Sequence, residues 1–121
     1  MSTVMLVEDN LTQREMIASV LRENGIEVIS VHDGLEALNQ VERIRPDLVV
    51  LDIIMPRLNG YEVCRRLKSN PVTQQVPIVM CSSKAEEFDR YWGMKQGADA
   101  YIVKPFIPQE LIQTVRNLLK R

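Results

Sequence analysis

Apolar residues recur along this chain in two alternating patterns. Short runs rich in β-branched residues occupy Thr3–Val7, Glu27–Val31, Leu48–Leu51, Ile78–Cys81 and Ala100–Val103. Between them, apolar positions fall three and four residues apart: Met16, Ile17, Val20 and Leu21; Leu35, Leu38 and Val41; Val63 and Leu67; Leu111, Val115, Leu118 and Leu119. The first pattern predicts strands buried on both faces, the second amphipathic helices. Their alternation predicts an α/β fold, a doubly wound (βα)5 domain with a five-stranded parallel sheet covered on both sides. Local signals agree. Asn10…Gln13, Asp33…Glu36, Asn59…Glu62 and Ser83…Glu86 each place a capping residue three positions before a Glu or Gln. Gly25 and Gly97 follow helical segments, where a left-handed closing residue is expected. Pro108 suits the first turn of the last helix.

The 121 residues are read as one domain, 1–121, large enough to bury a core without a staple. Hydrophobic residues make up 45% and charged residues 26%, an ordinary globular balance. Lys and Arg number 15 against 16 acids, a net charge of −1, so no basic field supports direct nucleic-acid binding. Apolar runs such as Leu48–Leu51 fall far short of the ~18 residues a spanning helix needs. The amino terminus has no signal-peptide pattern, so a cytoplasmic location is expected, with Cys64 and Cys81 as reduced core fillers. The single histidine, His32, is read as a surface or capping residue. Arg65, Arg66 and Lys68 read as the solvated face of a helix. For Trp92 two readings stand: a binding anchor beside Arg90 and Tyr91, or half-buried packing against the fifth strand.

In an open parallel sheet, ligands bind beyond the carboxyl ends of the strands. Glu8 and Asp9 follow the first strand and Asp52 the third; Ser82 and Ser83 follow the fourth, and Lys104-Pro105 the fifth. Any one acid there is as readily a helix cap or a solvated loop residue. Together, the three acids offer oxygen-only ligands of the kind Mg²⁺ prefers. A carboxylate beside such a cation can attack a phosphoryl group, with Lys104 and Ser82 addressing its oxygens.

These motifs make the chain resemble the receiver domain of two-component response regulators, of the single-domain CheY-like type. The residues that carry the likeness are Val7-Glu8-Asp9-Asn10, Leu51-Asp52-Ile53-Ile54-Met55-Pro56 with Asn59-Gly60, Pro77 through Ser83, and Gly97 through Phe106. The resemblance implies that Asp52 accepts a phosphoryl group from a histidine kinase or a histidine phosphotransfer protein. It implies Mg²⁺ held by Asp9, by Glu8 through water, by Asp52 and by the carbonyl of Ile54. It makes Ser82 the switch hydroxyl, Lys104 the phosphoryl-contacting lysine and Tyr101 the aromatic that turns inward with Ser82. It also implies a cis Lys104-Pro105 bond.

On this reading the face formed by the fourth helix, fifth strand and fifth helix repacks and controls a separate output protein, in taxis or a phosphorelay. The protein is expected to be a monomer, with dimerisation on phosphorylation left open, and not a metabolic enzyme. Ile54 and Lys84 depart from common types near the site and leave the phosphate lifetime open; Ile107 replaces an acidic helix cap. A receiver that docks without ever being phosphorylated is a narrower alternative. Two rivals fit less well. An aspartate-nucleophile phosphohydrolase usually carries an acid where Ile54 stands, and a flavodoxin-like carrier needs a phosphate cradle where Glu8 and Asp9 would repel one.

Overall fold

The computed structural model describes residues 1–120. The elements run β1 (Thr3–Val7), α1 (Leu11–Glu23), β2 (Glu27–Val31), α2 (Gly34–Ile44), β3 (Leu48–Leu51), α3 (Gly60–Ser69), β4 (Ile78–Ser82), α4 (Glu87–Lys95), β5 (Ala100–Val103) and α5 (Pro108–Leu119). All strand pairs are parallel, in the order β2-β1-β3-β4-β5. This is the flavodoxin/CheY-like arrangement, whose order reverses between β1 and β3.

Strand alternation divides the core into two layers. Val4 and Leu6, Leu48 and Val50, Val79 and Cys81, and Ile102 pack with α1 and α5. Met5 and Val7, Val49 and Leu51, Ile78 and Met80, and Tyr101 pack on the opposite side, with α2 and α3. Because side chains alternate with a period of two, each strand supplies both layers from one apolar run. No helix among the described residues is long and apolar enough to cross a membrane.

Three of the four expected caps form: Asn10, Asp33 and Asn59 accept from the backbone N–H of Gln13, Glu36 and Glu62. The fourth is a correction. Ser83 does not cap α4; the cap is Glu86, whose N–H donates to the Asp89 carboxylate at 3.2 Å. Residues 83–85 stay outside the helix, with the Lys84 backbone committed to Ser82 and Tyr101 as described below. Gly25 closes α1 at φ +79°, with its N–H bonded to the Arg22 carbonyl. Lys68 is a second correction: instead of being solvated, its ammonium bonds the Val76 carbonyl at 2.9 Å and the Asp99 carboxylate at 3.1 Å. Arg65 and Arg66 are exposed and share Glu62.

Two glycines let helices approach the sheet. A Cβ on Gly93 would meet Met80 Sδ at 2.7 Å and the Tyr101 ring at 3.1 Å, so α4 rests directly on β4 and β5. Trp92, beside it, is 41% exposed and stacks on Phe88 with ring centroids 6.3 Å apart, so its outer face is open to solvent.

A Cβ on Gly60 would meet the Asp52 carbonyl oxygen at 2.2 Å, and its N–H bonds the Ile53 carbonyl at 2.8 Å. Helix propensity alone favours Ala over Gly by about 1 kcal/mol. The clash is with backbone, however, so Gly60→Ala is expected to lose roughly 1–3 kcal/mol in denaturant unfolding. Burial pushes the Cys64 and Cys81 thiols up to about 12. Neither thiol should react with a disulfide reagent near pH 8 until the protein unfolds, when both should titrate.

Candidate functional site

The strand ends place the acids. The ladder continues one residue past β1 and β3: the Glu8 N–H bonds the Val31 carbonyl at 3.3 Å, and the Asp52 N–H bonds the Val7 carbonyl at 3.1 Å. Glu8 and Asp52 thus keep the alternation of Val4-Leu6 and Leu48-Val50, on the α1/α5 side of the sheet. Lys104 follows Ile102 in the same phase, its N–H bonded to the Ser82 carbonyl at 2.9 Å. Three strands therefore deliver Glu8, Asp52 and Lys104 to one cleft of about 570 Å³, which Asp9, Ile54 and Ser83 also line.

Carboxylate oxygens of Glu8, Asp9 and Asp52 lie within 4.8 Å of one another. Glu8 is 2% exposed and Asp52 9%. Lys104 Nζ contacts Glu8 Oε1 at 2.6 Å and lies 3.6 Å from Asp52 Oδ2. Glu8 Oε2 accepts from the Asn10 N–H at 3.1 Å. Asp52 Oδ1 accepts from the N–H groups of Ile53 at 2.7 Å and Ile54 at 3.4 Å. Burial raises the Glu8 carboxyl above its usual range, against the lowering effect of Lys104 and the Asn10 amide. Burial also opposes the charge on Lys104, but its hydrogen bond to Glu8 and the field of Asp52 prevail and hold its pKa above the ordinary value. Three carboxylates thus crowd one cleft in which Lys104 contacts Glu8 and Asp52, an oxygen donor set suited to a hard divalent cation. Ile54 is 53% exposed at the edge of the cleft.

Ser82 and Tyr101 lie in the other layer. Ser82 is fully buried at the end of β4 and follows Met80 in phase; Ser83 is the hydroxyl residue that lines the cleft. Ser82 Oγ accepts from the Lys84 N–H at 3.3 Å. Tyr101 stands inward, 5% exposed, and its hydroxyl donates to the Lys84 carbonyl at 2.6 Å. The Lys84 backbone therefore joins Ser82 to Tyr101, which is what holds residues 83–85 out of the helix. Arg90 covers the Tyr101 ring at 5.4 Å and donates to its carbonyl at 3.3 Å. The Lys104-Pro105 bond is cis.

One residue at the site was not singled out in the sequence. Arg14, on α1, donates to the Glu8 carbonyl at 2.9 Å and the Asp9 carbonyl at 3.5 Å. Its place one helical turn after the Asn10 cap was the available signal, and nothing in the residue pattern distinguishes it from a solvated arginine.

Burial raises the Tyr101 hydroxyl to about 12, with Tyr61 and Asp89 adding to the shift. An unfolded tyrosine ionises near 10. Stability contributed by neutral Tyr101 is therefore complete below about pH 10 and is lost as pH rises toward 12. Tyr101→Phe should lower stability near neutral pH by about 0.5–1.5 kcal/mol and flatten this alkaline loss, as read by urea unfolding from about pH 8 to 11.5.

Comparison with known proteins places this geometry. Residues 4–116 match the response regulator receiver domain family. The chain is 42% identical over 118 residues to the DNA-binding response regulator MtrA of Mycobacterium tuberculosis, covering 98% of this chain and 50% of MtrA. It spans about half the length of the curated relatives it matches. Among solved structures, chemotaxis protein CheY4 of Vibrio cholerae superposes with a TM-score of 0.91 at 30% identity, covering 98% of both chains. The receiver domain of the sensor histidine kinase PA1611 of Pseudomonas aeruginosa gives 0.92 at 31% identity, covering 99% of this chain and 98% of that one. That structure holds a magnesium ion in its active-site cleft. Domains of this kind are phosphoacceptor signalling domains, not metabolic enzymes, and the chain belongs to the response regulator receiver domain family.

Proposed function

We propose that this receiver domain is a switch that takes a phosphoryl group onto Asp52 from a histidine kinase or a histidine phosphotransfer protein. The observation that carries the reading is the arrangement of Asp52: buried, held by two backbone amides through Oδ1, with Lys104 3.6 Å from Oδ2. Oδ2 attacks phosphorus as the bond to the donor imidazole breaks, giving an aspartyl phosphate. Asp9, Asp52, the Ile54 carbonyl and, through water, Glu8 would hold Mg²⁺, which supplies positive charge for the phosphoryl oxygens. Lys104 adds a second positive charge. The same groups serve self-catalysed transfer and hydrolysis, with Ile54 at the approach of water, while the Lys84 ammonium lies 3.7 Å from the Asp89 carboxylate instead.

The aspartyl phosphate carries about −1.5 to −2 charges in place of the single carboxylate charge, and spreads them over three oxygens. The new oxygens draw on Lys104 and on the Ser82 hydroxyl, and Ser82 is tied to Tyr101 through Lys84. Inward Tyr101 is the packing this mechanism assigns to the signalling form. Phosphorylation then acts by raising the population of that packing on the face of α4, β5 and α5. Output passes through that face. The 42% identity to a DNA-binding regulator, against 30% to a chemotaxis protein, favours an output that controls transcription over one in taxis.

Intact mass after incubation with acetyl phosphate and Mg²⁺ tests the phosphoacceptor role. The wild type is expected to gain one phosphoryl group, and chelation or Asp52→Asn to abolish the gain. No adduct, or an adduct retained in Asp52→Asn, would refute it; the former outcome would leave a module that docks without phosphorylation.

A further inference from the structure

We infer that Arg14 is a positioning residue for the acid pair, setting the direction of Asp9 through the backbone. The link between β1 and α1 is only Glu8-Asp9-Asn10. Glu8 is fixed at both carboxylate oxygens, by Lys104 at 2.6 Å and by the Asn10 N–H at 3.1 Å. Asp9 differs: it is exposed, and among the described residues its carboxylate forms no ion pair. The main chain sets the direction of its Cα–Cβ bond, the base from which χ1 and χ2 turn the carboxylate.

Arg14 acts there. One guanidinium nitrogen reaches two consecutive carbonyls, that of Glu8 at 2.9 Å and that of Asp9 at 3.5 Å. Those carbonyls belong to the peptide planes on either side of the Asp9 Cα. Holding both planes restricts φ and ψ of Asp9 together, and so fixes its Cα–Cβ direction and narrows the space its carboxylate can reach. Arg14 is half-buried in the first turns of α1, and its own N–H bonds the Asn10 carbonyl at 2.9 Å, so the anchor is part of a helix that Asn10 already caps. Groups that orient metal ligands without touching the metal commonly affect affinity tenfold or more.

Charge alone predicts the opposite sign. A cation near three carboxylates repels Mg²⁺, so its removal would tighten binding. The direction of the effect therefore separates positioning from simple electrostatics. The inference rests on the proposal that this cleft takes Mg²⁺.

The test is a Mg²⁺ titration followed by amide NMR shifts near the cleft, at about 0.15 M salt to screen the direct charge effect. Wild type, Arg14→Met and Arg14→Lys are compared, with thermal midpoints measured alongside. Arg14→Met should weaken Mg²⁺ binding roughly tenfold, and Arg14→Lys should fall between it and wild type. If Arg14→Met does not fold, Arg14→Lys must still bind more weakly than wild type. Variants that lose thermal stability yet bind Mg²⁺ as wild type does, or more tightly, would overturn the positioning role. A wild type that binds no Mg²⁺ would instead overturn the proposed metal site, and this inference with it.

Discussion

The crowding of like charge at one sheet edge is the constraint on which the rest of the structure depends. Glu8, Asp9 and Asp52 bring carboxylate oxygens within 4.8 Å of one another, and two of the three residues are buried. Such an arrangement is costly unless it is paired and hydrogen-bonded. Each nearby device reduces that cost. Lys104 closes on Glu8, the amides of Ile53 and Ile54 hold Asp52, and the Asn10 amide takes the remaining Glu8 oxygen. The pairing remains incomplete, because Lys104 contacts Glu8 and Asp52 while the Asp9 carboxylate forms no ion pair among the described residues. That incomplete pairing is what supports the proposed binding of a divalent cation, and with it the proposed acceptance of a phosphoryl group.

A second theme is the division of labour across the sheet. Glu8, Asp52 and Lys104 continue one phase of the strand alternation, while Ser82 and Tyr101 belong to the other. The two groups thus lie on opposite layers of the sheet, with Tyr101 and Lys104 three positions apart along β5 and its extension. Within the second group, the Lys84 peptide groups connect Ser82 to Tyr101, donating to Ser82 Oγ and accepting from the Tyr101 hydroxyl. Gly93 makes that connection productive by letting α4 rest on the Tyr101 ring. Two hydrogen bonds and one packed ring thus run from Ser82 to the α4 surface, where Phe88 and Trp92 stand exposed, and this is the path the proposed switch uses.

Much of this was legible in the residues. Runs such as Leu48–Leu51 could be nothing but buried strand, and Asn10, Asp33 and Asn59 announced their helices because the bonds they make are local. The start of α4 was not legible. Ser83…Glu86 and Glu86…Asp89 both have capping spacing, and the choice between them is made by the long-range bond from Tyr101 to Lys84. Lys68 misled for the same reason: its partners, Val76 and Asp99, are distant in sequence. Arg14 was invisible because it acts on carbonyls, which every residue carries. The acids and the lysine were found because the chemistry needs particular side chains at the ends of particular strands. The layer of Ser82, opposite that of Asp52, could have been read from the same alternation.

The thermal unfolding midpoint of the wild-type protein, titrated with Mg²⁺ at constant ionic strength, tests the uncompensated acid cluster most directly. A ligand bound only by the folded state raises stability with the logarithm of its concentration above Kd. The account predicts such a rise through the millimolar range, largely lost in Asp9→Asn. A midpoint that stays flat in wild type, or that rises equally in Asp9→Asn, would contradict it.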